Sequence, residues 1–489
     1  MKKFILPIIC LLSVACAGGN SNVTIPAPED VVMYQVNPRN FAPENSFQAV
    51  SARLDAIQDL GTNVVWFMPI CELGIEKAVQ SPYCVKNYTA VNPEFGTLED
   101  FKALVAGAHK RGMAVIIDWV ANHTSWDNQW IKDHPDWYTH NEAGDIISPA
   151  GTGWNDVADL NFDNPALCQA MIDAMKFWVE EIGVDGFRCD AADYVPFEFW
   201  KDCVAQLRGT GHDLLMLAEG QRKDHFEAGF DLNYAWGWLS ALRRVFTGET
   251  VTVEQPVNFG GGQRPQGNNQ RPQGNNNQRQ GQNARQGNNR PQQQPQVRTR
   301  TINRAVPVST LFAADSSEYA GLPAGKVKLR FTTNHDEYVK NSPVREFFGN
   351  DGSVAAFVAT TFIHGGMLIY GCQEIGYPGK INFFRYAEMN WDANKEMVQA
   401  YKDIVRVYKT TPAIRKGAVV PYPHNDILIF ERVLDGEKVL VMINLRDNQL
   451  DAPVPAAWQG KTATDLISGK KVSFGQTELL RPFEYVIVK

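Results

Sequence analysis

Val64-Val65-Trp66-Phe67-Met68 and Ala114-Val115-Ile116-Ile117-Asp118 are two short apolar runs. Between them, Leu98 to Arg111 places Leu98, Phe101, Leu104, Val105 and Ala108 on one helical face before Gly112. Four- to six-residue apolar runs read as buried strands, and the i, i+3, i+4 spacing reads as a helix. Strand, helix, strand is the repeating unit of a parallel sheet. Working outward, Val31 to Val36 predicts an earlier strand. Phe47, Val50, Leu54, Ile57 and Leu60 predict one helix over 47–60, ended by Gly61. Downstream, Val184 to Asp190, Leu214 to Glu219, Lys328 to Thr333 and Met367 to Tyr370 predict further strands, with a helix at Phe197 to Arg208. This many units imply an α/β fold of the closed (β/α)8 TIM-barrel type. An open doubly wound sheet is the alternative, and it is weakened because no GxGxxG opens the first unit.

Three stretches break the rhythm. Residues 122–163 are rich in Trp, Asp, Gly and Pro and too long for an ordinary βα loop, so a short excursion after strand 3 is expected. From 413 to 489 short alternating runs such as Ile427-Leu428-Ile429-Phe430 and Val439-Leu440-Val441-Met442 predict a C-terminal antiparallel β-sandwich, leaving 29–412 for the barrel. Residues 259–300 repeat Gln-Arg-Pro-Gln-Gly-Asn-Asn at 263–269 and 270–276, with no acidic residue. Such a stretch buries no core and is expected to be a disordered insert, either a tolerated loop or a basic arm for acidic surfaces.

The N-terminus reads as an export segment. Lys2 and Lys3 precede the apolar Phe4 to Ala15, too short to span a bilayer, and Leu12-Ser13-Val14-Ala15-Cys16 resembles a bacterial lipoprotein signal. A signal at 1–16, lipidation of Cys16, a flexible tether at 17–28 and a position at the bacterial outer membrane are the expectations. The net charge of −7 argues against a nucleic-acid partner. None of the remaining cysteines has metal-site spacing; Cys71 and Cys84 fall in one loop and are close enough in sequence to pair.

Three acidic residues stand at or just beyond predicted strand ends: Asp190, Glu219 and Asp336. A closed barrel gathers its strand ends around one pocket. Glycoside hydrolysis needs two carboxyl groups in different protonation states, one to attack and one to protonate the leaving oxygen. Arg188, two residues before Asp190, shares its strand face and would keep it ionised. Glu219 has no such neighbour in sequence and is expected to carry a raised pKa. A single strand-end Asp is more often a structural cap than a catalyst; three such acidic residues on one barrel, with Arg188 and two His, reverse that balance.

The residues around these carboxylates resemble the α-amylase family of glycoside hydrolases. Asp118-Trp119-Val120-Ala121-Asn122-His123, Gly186-Phe187-Arg188-Cys189-Asp190, Ala218-Glu219-Gly220 and Phe331 to Asp336 are similar to its four signatures, in order. Asp159-Leu160-Asn161 and Gly371 to Gly376 resemble two auxiliary ones, and the resemblance spans roughly 30–489 apart from the insert. It implies Asp190 as nucleophile, Glu219 as general acid/base and Asp336 as the third acid. It implies Tyr83, His123, Arg188 and His335 as contacts to the sugar. It implies no cofactor for the chemistry, a structural Ca2+ on Asn122, and a monomer acting on an α-glucan such as starch, glycogen or maltooligosaccharide. Where the family's hydrolases often carry Lys-His, this chain has Asp193-Tyr194, which leaves transglycosylation and sucrose, trehalose or isomaltooligosaccharide substrates open. A sugar-binding member of the fold that has lost catalysis is opposed by the intact Asp190, Glu219, Asp336 and Arg188; the reading from another class is a non-catalytic glycan-binding surface lipoprotein that uses its C-terminal sandwich and basic insert.

Overall fold

The computed structural model describes residues 23–256 and 297–489, so the signal and most of the insert lie outside the described residues. Two compact units are present, one of residues up to 247 and from 307 onward, the other Gly248–Val306. In the larger unit eight strands close into a barrel. They are β1 (Val32–Val36), β2 (Val64–Phe67), β3 (Ala114–Trp119), β4 (Gly186–Cys189), β5 (Leu215–Ala218), β6 (Leu232–Tyr234), β7 (Val327–Arg330) and β8 (Gly366–Tyr370). Each pairs in parallel with its sequence neighbours, and β8 closes on β1 through Val32 opposite Met367.

The barrel is filled by alternate strand residues, among them Met33, Trp66, Ile116, Leu217, Leu232 and Leu329, all buried. Val23 and Ile25 pack against this cluster, so the end of the stretch expected to be a flexible tether is tied down by its own apolar side chains. Gly186 starts β4 at φ 142°, and a Cβ there would sit 2.0 Å from the Leu215 carbonyl oxygen, so only glycine lets β4 approach β5 so closely.

Strand β6 is not among the predicted ones. It is three residues long with a polar centre, Asn233, and so gives no apolar run to recognise. The helix expected over 47–60 is two, α1 (Ser46–Ser51) and α2 (Leu54–Asp59). The break falls at Arg53, whose backbone leaves the helical region (φ −107°, ψ 2°) and whose guanidinium lies 4.8 Å over Trp391. Cys71 and Cys84 are buried and unpaired. Cys71 starts the strand Cys71–Leu73 and Cys84 precedes the strand Val85–Val91; the two pair antiparallel with Leu73 opposite Val85 and Cys71 opposite Val91, which separates the two thiols along the ladder.

The excursion after β3 carries an antiparallel pair, His123–Ser125 with Val157–Asp159. After a short helix at Pro412–Lys416, the C-terminal region forms a four-stranded antiparallel sheet: β9 (Ala418–Pro421), β10 (Ile427–Leu434), β11 (Glu437–Asn444) and β12 (Tyr485–Val488). Two further two-stranded antiparallel pairs, Leu450–Pro453 with Thr477–Leu480 and Thr462–Thr464 with Lys471–Ser473, accompany it, and Ile429, Met442, Trp458 and Phe474 pack in one core. In the smaller unit Glu249–Pro256 pairs antiparallel with Val297–Arg304, so residues 297–300 of the low-complexity stretch are strand.

Candidate active site

Strand register assembles the charges. Asp118 is the partner of Arg188 across β3 and β4, and Cys189 is the partner of Ala218 across β4 and β5, so the next residues, Asp190 and Glu219, emerge side by side. Arg188 is fully buried at the centre. Its Nη1 donates to Asp118 Oδ1 at 2.7 Å and to Asp190 Oδ1 at 2.8 Å, and its Nε donates to the Tyr234 hydroxyl at 3.2 Å. Nη2 stands 2.8 Å from Glu219 Oε1, an ion-pair distance without hydrogen-bond alignment. Glu219 therefore does have a cationic neighbour, contrary to the sequence expectation, because the closed barrel delivers Arg188 from the adjacent strand. Its other oxygen, Oε2, accepts the Ala191 backbone N–H at 2.8 Å.

One guanidinium facing three carboxylates cannot satisfy them all. Burial pushes the Asp190 carboxyl well above the usual range; the charges of Glu219 and Asp118 add to the rise, and Arg188 only partly opposes it. Burial likewise pushes Asp118 up to about 7, against the pull of Arg188. Arg188 favours the ionised form of Asp190, as its place on the same strand face implied, while desolvation and the two other acids act against it. Asp336 is raised too, chiefly by desolvation.

A second chain of contacts fixes the rim. The Tyr83 hydroxyl donates to Asp118 Oδ2 at 3.2 Å and meets His335 Nε2 at 2.6 Å. Burial lowers His335 to about 3, so its ring is neutral. Since the Tyr83 hydroxyl donates to Asp118, His335 Nε2 carries the ring proton and Nδ1 accepts from Gln35 Nε2 at 2.7 Å. Tyr83 stacks on His335 at 5.6 Å, and Phe383 closes the other edge of the imidazole at 5.1 Å. Asp336 Oδ1 is 3.4 Å from His335 Nε2, and its side chain is 38% exposed. His123 is buried, and burial lowers it to about 4. Its ring meets Trp154 at 5.4 Å, and Trp154 in turn meets the exposed Tyr194 at 5.8 Å.

Asn122 does not join this cluster. It is buried, and its Nδ2 is 3.3 Å from His123 Nδ1. Among the described residues no three or more His, Cys, Asp or Glu side chains gather as a metal site.

Residues 35–147 and 151–246 match the α-amylase catalytic domain, and residues 418–487 match the maltogenic amylase C-terminal domain. The chain belongs to the α-amylase family of glycoside hydrolases. It is 24% identical to the α-amylase MalA of Haloarcula japonica over 466 residues, covering 90% of this chain and 59% of that protein. It is 34% identical to a trehalose synthase of Pimelobacter sp. over 200 residues, 34% of each chain. The chain thus spans less than two thirds of the length of these two relatives. The fold is that of an α-amylase from Lactobacillus plantarum (TM-score 0.74, 24% identity, 94% of this chain and 98% of that one). A maltogenic α-amylase from Thermotoga neapolitana is similarly close (TM-score 0.75, 20% identity, 95% and 99%).

Sequence reading alone left out several residues of this family member's site. Asp118 is the penultimate residue of β3, and the strand-end rule that singled out Asp190 applied to it as well. Tyr234 was hidden with the unrecognised β6. Gln35, Phe383 and Trp154 carry no sequence signal, since only folding brings them to His335 and His123.

Proposed function

We propose that this protein is a retaining glycoside hydrolase cleaving α-1,4-glucosidic bonds of starch, glycogen or maltooligosaccharides. The observation that carries the reading is the contact of one buried guanidinium with both Asp190 and Glu219 at adjacent strand ends. A shared guanidinium brings the two carboxyl groups to one point at the barrel's end, and the retaining mechanism calls for a separation of about 5–5.5 Å between them. Asp190 attacks the anomeric carbon, and Glu219 gives its proton to the departing glycosidic oxygen. The glycosyl group then rests on Asp190 until Glu219, now a base, takes a proton from water and the ester at C1 is displaced with retained configuration. Tyr83, His335 and Asp336 hold the sugar at the cleavage point, and His123 closes its far side. Arg188 balances the charge that grows on Asp190 as it leaves.

The test is product analysis from soluble starch with the native protein and Glu219→Gln. Maltooligosaccharides from the native protein alone support the reading; equal yields from both would remove Glu219 as acid/base. A second reading, transfer of the glycosyl group to a sugar acceptor, is favoured by the aromatic pair Trp154–Tyr194 beside the site. It predicts products longer than the maltooligosaccharide supplied. Export and lipidation at Cys16 complete the proposal; radiolabelled palmitate retained by the native chain and lost in Cys16→Ala checks them. Among the described residues no helix is long and apolar enough to cross a membrane.

A further inference from the structure

Resting on that reading of Glu219, we infer that Asp193 is a positioning residue for the acid/base. Glu219 itself is held by the sheet: its N–H donates to Cys189 O at 2.9 Å, and its carbonyl accepts from Ala192 N at 3.0 Å. Beyond it the strand has ended, and the backbone N–H groups of the next loop have no ladder to join. Asp193 takes two of them. Its Oδ2 accepts from Gln221 N at 3.1 Å, and its Oδ1 accepts from Arg222 N at 3.3 Å. The grip is returned from the other side, where Arg222 Nη1 donates to the Asp193 carbonyl at 3.1 Å. His225 stands beneath, buried, with Nε2 3.4 Å from Asp193 Oδ1.

Gly220 shows how tight this fit is. A Cβ there would lie 2.4 Å from Asp193 Oδ1 and 2.7 Å from His225 Cε1. The segment after the proposed nucleophile and the segment after the proposed acid/base are thus stapled to each other by one carboxylate. A lysine at 193, the residue type common in related hydrolases, has no lone pair to accept these N–H groups. The chain's departure at this position therefore supplies an acceptor, and that acceptor fixes the direction in which Glu219 presents its proton.

Chemistry separates positioning of a proton donor from general damage. Cleavage of a glucan breaks C1–O as Asp190 bonds to C1, and the leaving oxygen needs the Glu219 proton. With α-maltosyl fluoride the C1–F bond breaks, fluoride leaves as the anion, and no proton is required. Azide then displaces Asp190 from C1 without base assistance, giving α-maltosyl azide. In the full chain, Asp193→Ala and Asp193→Asn are expected to lower kcat on maltoheptaose about 10- to 100-fold. On α-maltosyl fluoride with azide the same variants should lose less than about 3-fold, since general acid–base assistance is bypassed. Asp193→Glu, which keeps the acceptor, should recover part of the maltoheptaose rate. Equal losses on both substrates, or full maltoheptaose activity in Asp193→Ala, would overturn the inference. Wild-type protein inactive on both substrates would overturn the functional reading together with it.

Discussion

Two buried arginines, Arg188 on β4 and Arg330 on β7, show how the same side chain serves opposite ends. Both are fully buried and both lie over aromatic rings, Arg188 5.2 Å from Trp66 and Arg330 4.6 Å from Trp238. Arg330 meets two carboxylates, Asp315 at 2.7 Å and Glu318 at 2.8 Å, and His364 adds a contact to Asp315 at 3.0 Å. Burial pushes Asp315 upward, but His364 and Arg330 outweigh it, and its pKa is lowered. Arg188 meets three carboxylates, and there burial and mutual repulsion win, raising Asp118 and Asp190. A balanced cluster holds a fold together. An over-subscribed one stores a protonation demand where chemistry is proposed.

The largest expected effect breaks the over-subscribed cluster. Asp190→Asn should reduce turnover ~10⁴-fold or more while raising Tm at pH 7. The sign follows from linkage: a carboxyl whose folded pKa lies above its unfolded value near about 4 weakens folding increasingly as pH rises between the two. A lower Tm for Asp190→Asn would mean that Arg188 more than offsets its burial, and the contrast would fail. Asp315→Asn should do the reverse. It should cost about 3 kcal/mol at pH 7, measured by urea unfolding, with activity per folded molecule intact. Its folded pKa is depressed, so this stability is present above the unfolded pKa and is lost as pH falls through the folded one. Next, Tyr83→Phe removes the link between His335 and Asp118 and should lower kcat/KM about 10-fold, the worth of one buried hydrogen bond; unchanged kinetics would detach the rim from the cluster. The smallest effect is on a slope. Asp118→Asn should flatten the fall in Tm between about pH 4 and its folded value of about 7.

Much of the barrel was legible because buried parallel strands must be apolar on both faces, so β2, β3, β5 and β8 appear as continuous runs. β6 was not, since three residues around Asn233 show no period. The break between α1 and α2 was equally silent, because apolar spacing runs straight through Arg53. At the site, strand-end position pointed to Asp190 and Glu219, whereas the contact between Arg188 and Glu219 crosses from β4 to β5 and has no local signature.

The sequence by itself determined the alternation of strands and helices, the placing of Asp190 and Glu219 at strand ends, and Arg188 on the same strand face as Asp190. These follow from period and position, which are local. Tertiary structure alone decided which charges share one guanidinium, which histidine nitrogen carries its proton, and that Asp193 grips the loop after Glu219. Those depend on distances between residues far apart in the chain and on exclusion of water, and both exist only once the barrel has closed.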